Sequence, residues 1–400
     1  MTNQNSEIGP DSNLLKITRR RWRPRFIFLY LAFILLGFVA LLVLGESLIR
    51  LAVPERYWRY YVAQDNWLPD PVLGWRNKPN LNFMHFETEM LAFRTNEDGL
   101  QVAQSLPGKS GAVVRVMLFG DSTVVGSAVM EDARLHHQLA RRLATRGIRA
   151  EVINAGVEGY STDQSLLAME SLVPRYRPQV VIHMVCANDF HGNVSAVNYG
   201  LPKPRFTMSN QGRLDLAVPN IDASPLAHDT PAFFSRATLQ KSALYRMLRP
   251  ALSRFRARID RQTTRNLAQG DDMSPSPDLL SKVDWALFDN IVIRMRAVCI
   301  ASDTEFLLTQ HPSIGEVENI AQLNSPLEAR LMESAKSCSV LFCPVISKLQ
   351  QAHHKRSFHL LPRDPHCNGL GYEQIAACLD EAVAARTLKR NPSSDDRSIK

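Results

Sequence analysis

Ser122 closes the run Val113-Val114-Arg115-Val116-Met117-Leu118-Phe119-Gly120-Asp121-Ser122, where a short apolar segment gives way to small residues that open a helix. In an open α/β sheet, ligands gather beyond the carboxyl ends of the strands, and a helix start there offers unpaired N–H groups. A serine hydroxyl in that place suits attack on an acyl carbon, provided a base takes its proton and a third group orients the base. The segment Arg363-Asp364-Pro365-His366-Cys367-Asn368-Gly369-Leu370-Gly371-Tyr372 supplies both. His366 would take the proton from Ser122 and return it to the leaving group, while Asp364 would hold the imidazole and stabilise its charged form.

Two further segments suit the negative oxygen that such an attack creates. In Asn154-Ala155-Gly156-Val157-Glu158-Gly159-Tyr160-Ser161, Gly159 can present a backbone N–H with no side chain in the way. In Cys186-Ala187-Asn188-Asp189, the Asn188 amide falls at a corresponding strand end. Together with the Ser122 N–H these make three donors for an oxyanion.

The elements that must position these groups alternate. Short apolar runs at 113–119, 149–154, 179–185, 304–309 and 339–345 read as strands. Helical stretches fall near 131–146, 161–176, 284–301, 326–338 and 370–386. That rhythm predicts a parallel sheet covered on both faces. His136-His137 is expected on a solvated helix face. One interruption, 191–280, breaks the alternation with a hairpin pattern, Arg205–Met208 and Arg213–Leu216 around Ser209-Asn210-Gln211-Gly212, and then a basic helix over Leu239–Arg261. The basic face suits either plain solvation or contact with anionic lipid or a charged glycan.

In these four segments and their order the chain resembles the SGNH, or GDSL, hydrolases. Gly120-Asp121-Ser122 matches the nucleophile block, Gly159 and Asn188 the oxyanion glycine and asparagine, and His366 the catalytic histidine. The resemblance implies a flavodoxin-like three-layer α/β/α fold and hydrolysis or transfer of acyl esters. Asp70–Asn80 and Arg94–Gly99 also resemble segments of bacterial membrane-anchored members. Two departures stand out: Cys186 replaces the usual glycine two positions before Asn188, and Asp364 lies two rather than three residues before His366.

Phe26 to Gly45 carries no charged residue. Twenty helical residues at about 1.5 Å each span roughly 30 Å, the thickness of a bilayer's hydrocarbon core. Arg19, Arg20, Arg21, Arg23 and Arg25 precede it, whereas Glu46, Arg50, Glu55 and Arg56 after it nearly balance. The positive-inside rule then puts the N-terminus in the cytoplasm and the rest in the periplasm or outside. The expected organisation is a basic arm (1–25), a transmembrane helix (26–45) and a membrane-proximal segment (46–111) whose aromatics sit at the headgroups or pack on the main domain. An SGNH domain (112–386) and a disordered tail (387–400) follow.

The net charge of +8 is partly local to the N-terminal arm, and what remains is too diffuse to imply nucleic acid. The six cysteines show no metal-type spacing, and Cys186 falls in a core strand. Gly108-Lys109-Ser110 lacks the first glycine of a phosphate loop, and no metal or organic cofactor is implied. The expected activity is that of a membrane-anchored serine esterase acting on acyl, including acetyl, esters of an envelope glycan or lipid. Transfer of the acyl group to a polysaccharide by the same triad, and a non-catalytic assembly or binding role for the fold, stay open as alternatives.

Overall fold

A computed structural model describes residues 24–53, 66–86, 90–104, 113–224, 226, 242–245, 247–248, 280–318, 325–352, 357–360 and 366–390. The chain opens with helix α1 (Pro24–Ala52), longer at both ends than the charge-free stretch alone predicts. Its segment Phe28–Ala52 is long and apolar enough to cross a bilayer, and none of it is buried against the protein. Four short strands follow as two antiparallel hairpins, β1 (Trp67–Asp70) with β2 (Gly74–Asn77) and β3 (Asn82–Phe86) with β4 (Met90–Arg94).

The next strand, β5 (Gln101–Gln104), belongs to the main sheet. It is followed by β6 (Val114–Phe119), one-turn helix α2 (Ser122–Val125), α3 (Leu135–Thr145), β7 (Ala150–Asn154), α4 (Thr162–Tyr176), β8 (Val180–Val185) and α5 (Asn188–Val194). Two small hairpins come next, β9 (Val197–Asn198) with β10 (Leu201–Pro202) and β11 (Arg205–Met208) with β12 (Leu214–Ala217). The chain then returns through α6 (Trp285–Ala301), β13 (Glu305–Gln310), α7 (Ile314–Glu318), α8 (Pro326–Ser337), β14 (Leu341–Cys343), α9 (Ile346–Ala352) and α10 (Gly369–Arg390).

The six-stranded sheet has the order β14-β13-β8-β6-β7-β5. Its five parallel strands, counted along the chain, lie in the order 2-1-3-4-5, the flavodoxin-like arrangement. The expected α/β/α architecture is present, with one correction: the sheet is mixed. Residues 101–104, expected in the membrane-proximal segment, pair antiparallel with β7 and close that edge, so the sheet begins upstream of 112. At the other end α10 continues through Arg390, beyond the expected limit at 386.

Side-chain alternation along the strands builds two cores. Met117, Phe119, Ile153, Val181, Val185 and Leu308 face one side, against α4, α6 and α8. Val116, Leu118, Val152, Ile182, Met184 and Leu307 face the other, against α3, α9 and α10. Every residue of β8 is buried, as a central parallel strand covered on both faces requires. Within that strand His183 is fully buried, and burial lowers its imidazole to about 4, so it is a neutral core residue at neutral pH. His136 also departs from expectation: it faces inward from α3, with its Nδ1 3.3 Å from Asn154 Nδ2, and only His137 is partly exposed. None of the six cysteines forms a disulfide, and all are buried.

The expected hairpin after the third block is present, with Phe206 opposite Leu216. Of the expected basic helix, residues 243–245 and 247–248 are helical, and the rest of Leu239–Arg261 lies outside the described residues, apart from the cap at 242. Glu46 of α1 accepts hydrogen bonds from Ser242 Oγ (2.7 Å) and from the N–H groups of Ala243 and Leu244 (2.9 Å each), so this insertion rests on the end of the apolar helix.

The insertion is tied to the sheet domain by a buried ion pair. Lys203 Nζ lies 2.5 Å from Asp163 Oδ2 and also donates to the carbonyls of Gly192 (2.9 Å) and Pro204 (3.0 Å), with both side chains fully buried. Burial pushes the Asp163 carboxyl up to about 6 against the pull of the ammonium, and lowers Lys203. Lys203→Met should therefore cost about 3–5 kcal/mol by stranding the carboxylate. Without the ammonium, Asp163 rises further, so the folded state holds a proton that the unfolded chain releases near pH 4. The variant's deficit, read from urea unfolding, should grow between pH 5 and pH 7.5. A deficit that shrinks over that range would contradict this account.

Candidate active site

The strand β6 ends at the topological switch point, where the chain passes to β7 on one side and later to β8 on the other. Gly120 turns the chain there with φ +156°, and a Cβ at that position would sit 2.6 Å from Val124 Cγ2 and 2.9 Å from the Met184 carbonyl oxygen. Asp121 then caps α2, its Oδ1 accepting from the Thr123 N–H (2.9 Å) and Thr123 Oγ1 (2.7 Å). Ser122 is the first residue of that single turn.

One helical turn cannot hold itself, since its carbonyls have no following turn to bond to. Here four consecutive carbonyls are met by side chains from four other elements. Tyr372 Oη of α10 donates to Thr123 O (2.8 Å), and Asn154 Nδ2 at the end of β7 donates to Val124 O (2.7 Å). Gln101 Nε2 of β5 donates to Val125 O (3.3 Å), and Arg134 Nε, just before α3, donates to Gly126 O (3.0 Å). Arg134 is fully buried; it also donates to Gln101 Oε1 (2.7 Å) and Ala92 O (2.5 Å) and lies over the Phe93 ring.

His366 reaches Ser122 from the far end of the chain. Its Nε2 is 2.8 Å from Ser122 Oγ. The backbone around it pairs with 358–360: Leu360 N donates to His366 O, and Asn368 N to Phe358 O, each at 2.9 Å. Asn368 adds side-chain bonds to the carbonyls of Ser357 (2.9 Å) and His359 (3.2 Å), and its Oδ1 accepts from Gly371 N (3.0 Å) at the start of α10. Asp364 lies outside the described residues.

The two candidate oxyanion segments stand at the same sheet edge. Asn188 opens α5, and its Nδ2 donates to Asp121 Oδ2 (3.0 Å), so the residue before the serine orients the asparagine amide. One N–H of an amide group suffices for that bond, leaving the second for another acceptor. Gly159 has φ +77°, and a Cβ there would lie 2.3 Å from the Tyr199 ring, so only glycine fits. The loop bearing it is fastened by Gly156 N to Asn154 Oδ1 (2.9 Å) and Val157 N to Gly120 O (3.2 Å).

Ser122, Ser127, Val129, Glu158, Tyr199 and His366 line a pocket of about 180 Å³. Glu158 is 9% exposed and accepts from Ser127 Oγ (2.7 Å). Cys186, which stands in the usual glycine position, is buried, and burial raises its thiol well above the ordinary value, so it offers no thiolate. Sequence reasoning passed over Asp121 as a partner of Asn188, and over Gln101, Arg134, Asn154 and Tyr372. A buried-looking polar residue at a strand end was the available signal for Asn154 alone.

The GDSL-like lipase/acylhydrolase family matches residues 118–374. The chain belongs to this family. The matched span runs from the end of β6 into α10 and includes Ser122, Gly159, Asn188 and His366. Among solved structures, TesA is 10% identical with a TM-score of 0.39, covering 68% of this chain and 99% of that one. An acetyl xylan esterase is 15% identical with a TM-score of 0.38 and coverages of 68% and 100%. A lipase/acylhydrolase from Enterococcus faecalis is 14% identical with a TM-score of 0.37 and coverages of 68% and 96%. No curated protein matches the chain.

The four-carbonyl clamp of this GDSL-like domain has a measurable consequence. Arg134→Met removes the charged donor from three buried acceptors, and hydrogen bonds to a charged group are worth about 1.5–3 kcal/mol each. A loss of at least about 3 kcal/mol is expected in urea unfolding, with hydrogen-exchange protection falling over 101–104 and 122–126 together. Loss confined to α3 would show that Arg134 does not join these segments.

Proposed function

We propose that this protein is a membrane-anchored serine acylhydrolase that removes short acyl groups, acetyl foremost, from an envelope substrate on the outer side of the membrane. The 2.8 Å contact between Ser122 Oγ and His366 Nε2 carries the reading. His366 takes the hydroxyl proton as Ser122 Oγ attacks the ester carbonyl carbon, and the carbonyl π electrons move to oxygen. The oxyanion accepts hydrogen bonds from the N–H groups of Ser122 and Gly159 and from the Asn188 amide. Collapse breaks the C–O bond, the alkoxide takes the proton from His366, and an acyl-serine remains. Water, deprotonated by His366, then releases the carboxylic acid and restores the serine. Asp364, two residues before His366, is assigned to orient the imidazole.

Asp121 acts through Asn188 as a positioning residue, since its carboxylate fixes the amide that faces the oxyanion. The pocket's volume, about 180 Å³, is below the roughly 300–1,000 Å³ of ordinary ligand sites, which favours a small substrate with a short acyl group. The membrane reading is supported by the apolar, unburied helix Phe28–Ala52 and by the five arginines just before it. That charge bias directs residues 1–25 to the cytoplasm and the domain to the periplasmic side.

Ser122→Ala and His366→Ala should each lower turnover of an acetyl ester by about 10⁴–10⁶-fold, with the double variant little worse than either. Multiplicative losses would show that the two do not work as a unit, and undiminished turnover in Ser122→Ala would leave a binding role for the fold. An octanoyl ester should be used at least about tenfold less well than an acetyl ester, because overfilling a small pocket costs about 1–3 kcal/mol. Adding an oligosaccharide to the acetyl-ester reaction separates hydrolysis, which yields free acetate, from transfer, which yields acetylated sugar.

A further inference from the structure

Tyr199 occupies an unusual place for an aromatic residue. It and Gly200 form the two-residue loop between β9 and β10, with φ +51° and +74°. Two successive positive φ values define a type I′ hairpin turn, whose first central position favours Asn, Asp or Gly. A bulky residue held there is strained. The turn gains nothing from a tyrosine, yet the ring is held in one place. The Tyr199 N–H donates to Asn198 Oδ1 (2.9 Å), and Asn198 Nδ2 donates to Gly159 O (2.8 Å). The ring rests on the bare Cα of Gly159 and tilts against Trp67, with centroids 5.9 Å apart. Trp67 in turn packs on Trp75 at 5.5 Å, and Trp75 on Tyr160 at 5.8 Å, so a buried aromatic column backs an exposed ring.

Tyr199 remains 53% exposed and lines the pocket that holds Ser122 and His366. The Glu158 carboxylate lines the same pocket, fixed by a hydrogen bond from Ser127 Oγ (2.7 Å), while the Glu158 backbone carbonyl accepts from Trp75 Nε1 (3.1 Å). A rigid aromatic face beside a fixed carboxylate matches one face of a pyranose. The electropositive C–H groups of the sugar lie on the ring's negative face, and vicinal hydroxyls donate to the carboxylate in charge-assisted hydrogen bonds. A phosphate headgroup would meet like charge at Glu158. A quaternary ammonium is best held by a cage of rings, and Trp67 and Trp75 are buried behind this one.

We infer that Tyr199 and Glu158 form a subsite for a neutral or N-acylated pyranose, which presents the acylated hydroxyl of that sugar to Ser122. The inference rests on the acylhydrolase reading for the place of the scissile ester, and it names a sugar rather than a phospholipid as the alcohol part of the substrate.

The test compares kcat/KM for a mono-acetylated methyl pyranoside with that for phenyl acetate, using the full chain in a detergent without a sugar headgroup. In Tyr199→Ala the ratio of sugar ester to aryl ester should fall about tenfold or more, mainly through KM of the sugar ester, because the sugar's apolar face loses its contact. Tyr199→Phe should recover most of the ratio, and Glu158→Gln should lower it about tenfold by removing charge from the accepted hydrogen bonds. An unchanged ratio in both Tyr199→Ala and Glu158→Gln, or preference of the unaltered chain for acetylcholine over the sugar ester, would overturn the subsite. Failure of the unaltered chain to turn over any ester or to react with a fluorophosphonate would instead sink the acylhydrolase reading. Titration with the unacetylated methyl pyranoside, followed by NMR, then decides the subsite separately: binding lost in Tyr199→Ala supports it, and no binding by the unaltered chain overturns it.

Discussion

Four backbone carbonyls on one turn of helix are the constraint around which this domain is organised. A turn as short as Ser122–Val125 has no cooperativity of its own, and a serine carried on it would wander by more than catalysis tolerates. Tyr372, Asn154, Gln101 and Arg134 each satisfy one carbonyl, and they come from α10, β7, β5 and the approach to α3. The clamp therefore also ties α3 and α10, which cover one face of the sheet, to the strands β7 and β5 at one edge of it. Because these donors are buried, leaving any carbonyl unmet would cost the desolvation of a buried polar group. The same residues that position the hydroxyl thus stabilise the fold around it.

That clamp explains why the segment before the main α/β pattern is part of the domain. Gln101 and Ala92 lie upstream of residue 112, yet both bond to Arg134, and β5 completes the sheet. Trp67 and Trp75 belong to the same arrangement: they are buried behind the pocket, and Trp75 bonds to the Glu158 carbonyl and accepts from Tyr160 Oη. Of the two readings open for these aromatics, packing on the domain holds for Trp67 and Trp75; Tyr57, Trp58, Tyr60 and Tyr61 lie outside the described residues. The insertion is anchored twice, through buried Lys203–Asp163 to the sheet domain and through Glu46 to the end of the apolar helix. It also supplies Tyr199 to the pocket, so the segment that interrupts the repeating pattern is the one that shapes the site's mouth.

The parallel strands are legible in the chain to within a residue or so for all but the last, because apolar runs bounded by turn residues have few other uses in a chain with this helical rhythm. The candidate residues Ser122, Gly159, Asn188 and His366 are legible there too, since each is picked out for a reason stated in local terms: a hydroxyl, a bare backbone, an amide, an imidazole. What holds them is visible only in the folded chain. The bonds from Gln101, Asn154 and Tyr372 to the turn that carries Ser122 join residues 24, 30 and 249 positions apart, and each ends on a backbone carbonyl. A carbonyl is the same at every position, so no residue type in the turn announces its partner, and the inward face of His136, the antiparallel β5 and the place of Tyr199 follow from those unannounced contacts.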